Sequence, residues 1–421
     1  MTETEKISLR SFGIGLAGIT ILAALLRMYW ITVCQPTGDE YYSIGEAFDY
    51  MTRGHYGLVM WHHPKLRNIL VFAGIKLLGP NLFGVRCASI LFGTLTATLT
   101  GLVARRLTKS DAAALLAALF IAIDALHIEF SRQAIQEEYV PFFLLAGIYL
   151  TLRYLDHKSV WVLIGSGAMF GLGLASKWSV AIPLVLAFCF LCWMTLRQAG
   201  LSTREKGTEF LFYVAALAVL PVTLYVATFY PWFLERGYDL GAWLASQKIM
   251  YAENLVHKGA NQAFAQIQDH NPLLWFVRPV TYADFQIVQG RPSPVLGVSN
   301  PLVWLLTLPA VGYLMYTVRR QDSRYFPLLG LFWCSYLPFA VTKRLIGVNS
   351  SLAVTPFAFM AVASVIVTLT AKVRNRKVCL GIYLGLVLII AIPLYAMAIG
   401  MGYETFLKPV FELYRPANEM Q

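Results

Sequence analysis

The stretch VCLGIYLGLVLIIAIPLYAMAIG, Val378–Gly400, carries no charged side chain. A helix of that length, rising about 1.5 Å per residue, crosses the ~30 Å hydrocarbon core of a bilayer. Lys372, Arg374, Arg376 and Lys377 stand directly before it. The same pairing of an apolar run with a short basic flank recurs along the chain, as at Ala112–Ile123 with Arg105, Arg106 and Lys109 before it. The 421 residues are 57% hydrophobic and 14% charged, against roughly 25% charged in soluble domains. This composition excludes a soluble, disordered, fibrous or disulfide-scaffold protein and points to an all-α polytopic membrane protein.

About eleven spans are expected at this segment length: 12–34, 83–104, 112–130, 138–155, 160–175, 178–196, 210–230, 301–318, 325–342, 350–371 and 378–400. Leu66–Leu78 is apolar but too short to cross. With Lys65 before it and Arg67 and Lys76 within it, it is expected to lie along the membrane surface. Every second connection is short and basic: Lys6 and Arg10, Arg105 to Lys109, Arg153 and Lys158, Arg197 to Lys206, Arg319 to Arg324, Lys372 to Lys377. By the positive-inside rule these face the cytoplasm, which places the N-terminus inside. The first span is expected to remain as an anchor in a multi-pass plasma (inner) membrane protein. Residues 1–421 then form one membrane-embedded domain with two long outer loops, about 35–82 and 231–300. The net charge of +11 divides between topology-setting cytoplasmic residues and an outer set, and neither calls for nucleic acid.

The six cysteines lie in or at the ends of spans and are expected as small buried hydrophobes. The outer side carries the chemistry. Asp39-Glu40 opens the first outer loop, where desolvation raises a carboxylate pKa and makes a better base; the same acids suit the first turn of a helix beginning near Tyr41. His62-His63 precedes Pro64, which is suited to a first helical turn; the two His with Asp39-Glu40 also offer a divalent-metal set. Further ionisable residues stand at outer span ends: Arg86, Asp124, His127, Glu129, Arg132, Glu137, Glu138, Lys177, Arg278, Lys343 and Arg344. Snorkelling to headgroups explains any one of the cations. A set at one leaflet points to a polar cavity. Several cations around a cavity neutralise a phosphate, and one carboxylate deprotonates an acceptor hydroxyl. A transferase with a lipid-phosphate-linked donor needs this combination. A transporter is the contrasting expectation, but neither a repeat nor a midplane cluster of charges is visible.

The chain resembles the protein O-mannosyltransferases of the GT-C superfamily of polyprenyl-phosphate-dependent glycosyltransferases over roughly residues 20–360. Asp39-Glu40 resembles their acidic pair. His63-Pro64-Lys65-Leu66 through Gly79 resembles their His-Pro-Pro-Leu-Gly-Lys helix, with Lys65 in place of the second Pro and Arg67 in place of the Gly. Phe83 to Arg86 with Leu91 to Gly93, Asp124 to His127 with Ser131 to Ala134 and Glu137, Ala175 to Trp178, Trp275 to Val280, and Gly297 to Pro301 are similar to further family segments in the same order. Val348-Asn349-Ser350-Ser351 stands where the family carries an aromatic-His-aromatic cluster, and is expected to line the donor or acceptor site. The resemblance implies transfer of a hexose, mannose first, from a polyprenyl-phosphate donor to a protein Ser or Thr at the extracytoplasmic face by inverting displacement, with a lipid or cell-envelope glycan as the alternative acceptor. It implies Asp39 as base and Glu40 beside it. Arg132, Lys177, Arg278, Arg344, Glu137, His63 and Arg86 are implied for phosphate and donor binding. No cofactor is required, and a divalent metal remains open.

Overall fold

The computed structural model describes residues 9–36, 38–53, 63–255, 272–277, 281–288, 291–320, 322–341 and 346–401. All eleven expected segments are occupied by helix. The first part of the chain forms α1 (Leu9–Met28), α2 (Gly38–Arg53), α3 (Leu66–Leu78), α4 (Leu82–Thr108), α5 (Asp111–Ile123), α6 (Ala125–Ser131), α7 (Tyr139–His157) and α8 (Val160–Leu174). Among the described residues six helices are long and apolar enough to cross a membrane alone: Arg10–Met28, Leu82–Thr108, Trp178–Arg197, Thr203–Ala227, Pro301–Arg319 and Arg376–Ala398. A seventh is added if α5 and α6, bent by 59°, count as one span. Val160–Leu174 and Thr355–Thr370 are apolar but shorter; 15 residues reach only about 22 Å. The molecule is a multi-pass helical membrane protein.

The packing follows the membrane rule that small residues let helices approach. Ala113, Ala114, Ala117, Ala118 and Ala122 of α5 are buried where α5 meets α1, α4 and the helix Thr355–Thr370. Large aliphatics point outward on the last span, with Ile382, Ile389 and Ile392 exposed as lipid-facing side chains.

The break between α5 and α6 shapes the end of the bundle where the ionisable residues gather. Asp124 caps α6, its carboxylate accepting from the His127 N–H at 3.0 Å, and it also accepts from the Ser299 hydroxyl and the Asn300 N–H, each at 3.3 Å. Breaking the helix frees carbonyls at the end of α5. The buried Arg27 of α1 takes up two of them, donating to Ile121 and Ala122 at 3.2 Å each, and it bonds His127 Nδ1 at 3.0 Å and the Ser131 hydroxyl at 3.1 Å.

The all-α expectation needs one correction. Thr281–Val288 (β1) and Arg291–Val298 (β2) pair antiparallel, Val288 opposite Arg291. Pro292 and Pro294 sit two apart, so both missing N–H groups fall on the same edge and cost the two-stranded ladder nothing on its paired side. β2 lies against α6 and the last helix, burying Leu296 and Val298 with Met397.

The expectation for Leu66–Leu78 is also corrected in part. It is a helix, but its first turn is enclosed by protein. Lys65, Leu66, Arg67 and Asn68 are all buried, and the Leu66 N–H bonds the Ala175 carbonyl at 3.2 Å. Glu46 of α2 supplies the counter-charge: Asn68 hydrogen-bonds it, and Lys65 Nζ lies 3.9 Å from its carboxylate. α3 lies flat on α4 because Gly74 and Gly84 leave no Cβ where the two backbones meet.

Candidate active site

Asp39 and Glu40 are adjacent in the first turn of α2, and the helix turns them about 100° apart. Glu40 is buried, 1% exposed. Both of its carboxylate oxygens accept from Arg86, Oε1 from Nε at 2.8 Å and Oε2 from Nη2 at 2.6 Å, and Oε1 also accepts from the Ala134 N–H at 3.0 Å. Arg86 Nη1 donates to the carbonyls of Ile31 at 2.6 Å and Cys34 at 3.0 Å. One enclosed ion pair therefore ties together the chain leaving α1, the start of α2, α4 and the loop after α6. The Ser43 hydroxyl adds a bond to the Ala134 carbonyl at 3.2 Å.

Asp39 is only partly enclosed. Its carboxyl is held above the ordinary aspartate range, first by burial and second by the negative charge of Glu137; Arg67 and Lys177 pull in the opposite direction. Glu137, in the short turn Gln136–Glu138 before α7, is buried too, yet the Lys177 charge and hydrogen bond, and then Arg67, hold its carboxyl below the usual value. Lys177 stands between α8 and the turn Trp178–Val180. Its Nζ donates to Glu137 Oε1 and to the Ser350 hydroxyl, each at 2.9 Å. Among the described residues one of its three N–H donors is left over, and its side chain is 26% exposed. Asp39, Glu137, Lys177, Ser350 and Arg67 thus form one electrostatic unit, with Asp39 and Lys177 its accessible members.

Of the residues expected to bind donor, Lys177 and Glu137 are brought together by a 2.9 Å hydrogen bond, and both of their charges act on Asp39. Arg86 is not a free clamp, because its guanidinium is spent on Glu40 and two carbonyls. Arg132 is likewise committed, donating to the carbonyls of Arg27 at 3.0 Å, Tyr29 at 2.5 Å and Trp30 at 3.0 Å. Those are carbonyls at the end of α1, which a helix leaves unpaired. His63 lies just before α3. Arg278, Arg344 and His62 lie outside the described residues. Glu40 would have to leave Arg86 to join a metal set, and among the described residues no three His, Cys, Asp or Glu stand together as one. Ser350 belongs to the departing stretch 348–351, expected to line the site, and it reaches Lys177. One contributor was missed in the sequence. Arg67 was read as facing the membrane surface; its placement where the family has Gly was the signal.

Residues 54–235 match the family model described as dolichyl-phosphate-mannose-protein mannosyltransferase. A polyprenol-phosphate-mannose–protein mannosyltransferase of Mycolicibacterium smegmatis is 25% identical, the match covering 83% of this chain and 80% of that one. The protein of the same description in Mycobacterium tuberculosis is also 25% identical, over 74% and 70%. The solved S. cerevisiae protein O-mannosyltransferase Pmt1-Pmt2 complex, bound to the sugar donor, superposes with a TM-score of 0.77 at 12% identity, over 94% of this chain and 91% of that one. The chain is similar to the protein mannosyltransferases over most of its length and shares the fold of the solved one. ArnT from Cupriavidus metallidurans, bound to undecaprenyl phosphate, shares the fold more distantly, with a TM-score of 0.55 over 93% of this PMT-like chain and 71% of that one.

Proposed function

We propose that this chain transfers mannose from a polyprenyl-phosphate donor to a Ser or Thr hydroxyl of a protein, at the extracytoplasmic face of the plasma membrane, within an eleven-span frame whose N-terminus is cytoplasmic. One juxtaposition carries the reading. A carboxylate with a raised pKa, Asp39, feels the charge of a partly open cation, Lys177, and of the Glu137 it bonds, in a chain whose relatives named for this donor match it over most of its length. Asp39 takes the proton of the acceptor hydroxyl. The acceptor oxygen bonds to the anomeric carbon as the bond from that carbon to the phosphate oxygen breaks. The pair of electrons leaves with polyprenyl phosphate, and the sugar is inverted. Lys177 stabilises the charge that develops on the leaving phosphate, with Arg278 and Arg344 as its expected companions. Glu137 and Ser350 aim Lys177, while Glu40 and Arg86 fix the turn that presents Asp39. The scheme requires no metal. The test is glycoproteomic: cells lacking this chain are expected to lose hexose from Ser/Thr of exported proteins, and unchanged protein glycosylation with an altered envelope glycan would move the acceptor to the alternative class.

Two results are expected at the site itself. Lys177→Met slows transfer about 10²-fold, the effect of removing one preorganised charge stabiliser. It also costs stability, by less than the ~3–5 kcal/mol of a fully enclosed pair because Lys177 is partly open. Glu137→Gln added to it restores melting temperature and not rate; a double variant that regains rate would make Lys177 purely structural. The pH–rate profile follows from Asp39. The base must be ionised and its pKa is raised, so kcat/KM falls as pH drops through a value above the ~3.9 of an ordinary aspartate. An acid limb at or below that value would separate Asp39 from the proton transfer.

A further inference from the structure

Arg67 is 1% exposed, and among the described residues its Nε and Nη1 meet no hydrogen-bond partner. A guanidinium keeps its charge at any physiological pH and offers five donors. Leaving donors of a buried charge unmatched is among the more costly arrangements in a protein, so a site of this kind is organised for something that arrives. Glu46, the nearby acid on α2, is engaged by Asn68 and lies beside Lys65. The Leu66 N–H to Ala175 carbonyl bond, 3.2 Å, fixes the start of α3 against the segment that ends in Lys177. Asp39 and Glu137 both feel the Arg67 charge, which places the guanidinium in the same unit.

We propose that Arg67 is a binding residue for the donor phosphate, giving its planar guanidinium to the phosphoryl oxygens while Lys177 meets them as a point charge. The division follows from the two cations: the planar fork of Arg matches two oxygens at once, and an ammonium does not. The charges also balance through the reaction. Asp39 and Glu137 with a singly charged phosphodiester donor carry three negatives. After transfer, neutral Asp39 and Glu137 with doubly charged polyprenyl phosphate still carry three. Arg67 and Lys177 therefore face a constant load and need no rearrangement between donor and product. The family resemblance assigns Gly to this position, so the guanidinium is a feature of this chain.

The inference rests on the transferase reading, and one titration separates the two. Full-length protein in lipid nanodiscs is titrated with polyprenyl monophosphate and, separately, with the corresponding polyprenol. Wild type is expected to bind the phosphate in preference to the alcohol. Arg67→Gln is expected to lose about tenfold or more in affinity for the phosphate, the value of one charge-assisted hydrogen bond, and nothing for the alcohol. Arg67→Lys keeps the charge without the fork; it is expected to lose about threefold or more, and it carries the test if the Gln variant does not fold. Phosphate affinity at the wild-type level in either folded variant overturns the role of Arg67, as does an equal loss for phosphate and alcohol. Wild-type protein indifferent to the phosphate overturns the transferase reading, and this inference with it.

Discussion

Asp39→Asn is expected to abolish transfer within the detection range of most assays, a fall of about 10²–10⁴-fold for loss of a positioned base, while the protein stays folded. The two halves of that expectation have separate origins. The rate falls because Asn cannot accept the acceptor's proton. The fold survives because the carboxyl of Asp39 is held above its ordinary range by burial and by Glu137. The folded state then binds more protons than the unfolded one between those two pKa values, and stability declines as pH rises through that window. Asn resembles the protonated form and removes the penalty at neutral pH. Against this stands the loss of a negative charge in the first turn of α2, about 0.3–1 kcal/mol. The melting temperature should therefore move little in either direction. Transfer within tenfold of wild type would remove Asp39 from the role of base.

Arg86→Met should act in the opposite way, through the fold. Arg86 and Glu40 are each 1% exposed in their side chains. Taking away the guanidinium leaves the Glu40 carboxylate enclosed with only the Ala134 N–H, and strips the carbonyls of Ile31 and Cys34 of their donor. Breaking a buried pair from one side costs about 3–5 kcal/mol, a large part of the stability of most proteins. Thermal unfolding in a fixed detergent should show the loss, and Glu40→Gln combined with Arg86→Met should recover part of it, because the pair is coupled. Activity should fall with folding, since this pair holds the turn that presents Asp39. An Arg86→Met protein of unchanged stability and weakened donor affinity would return Arg86 to the phosphate.

The sequence made the helical frame legible because apolar runs such as Val378–Gly400 and basic flanks are direct consequences of the bilayer. It placed Asp39, Glu137 and Lys177, far apart in the chain, on one face; Glu137 and Lys177 do meet, and both charges act on Asp39. What stayed hidden was the division of labour. Asp39 and Glu40 read as one pair, yet a helix points neighbours in different directions, so one stays partly exposed and the other turns into the protein. Arg86 and Arg132 read as cavity cations, because a span-end Arg looks the same whether it awaits a ligand or satisfies carbonyls left by α1. Those carbonyls exist only once α1 ends where it does. Arg67 was hidden by the opposite error: a charge on a short apolar helix suggests a membrane surface, and only Glu46 and the contact with Ala175 bring its turn inside. The β1–β2 hairpin escaped notice because two prolines in one strand argue against pairing unless both fall on the free edge.

The central claim is that the unit around Asp39 and Lys177 moves mannose from a lipid phosphate to protein. Its most direct measurement is a reconstituted transfer with one synthetic donor, polyprenyl-phosphate-mannose, offered together with a Ser/Thr peptide and a lipid-linked glycan, both products quantified by mass spectrometry. The account predicts mannosyl-peptide formed one-for-one with free polyprenyl phosphate, with inverted anomeric configuration, and absent in Asp39→Asn. Intact donor, or mannose found on the lipid-linked glycan and not on the peptide, would contradict it.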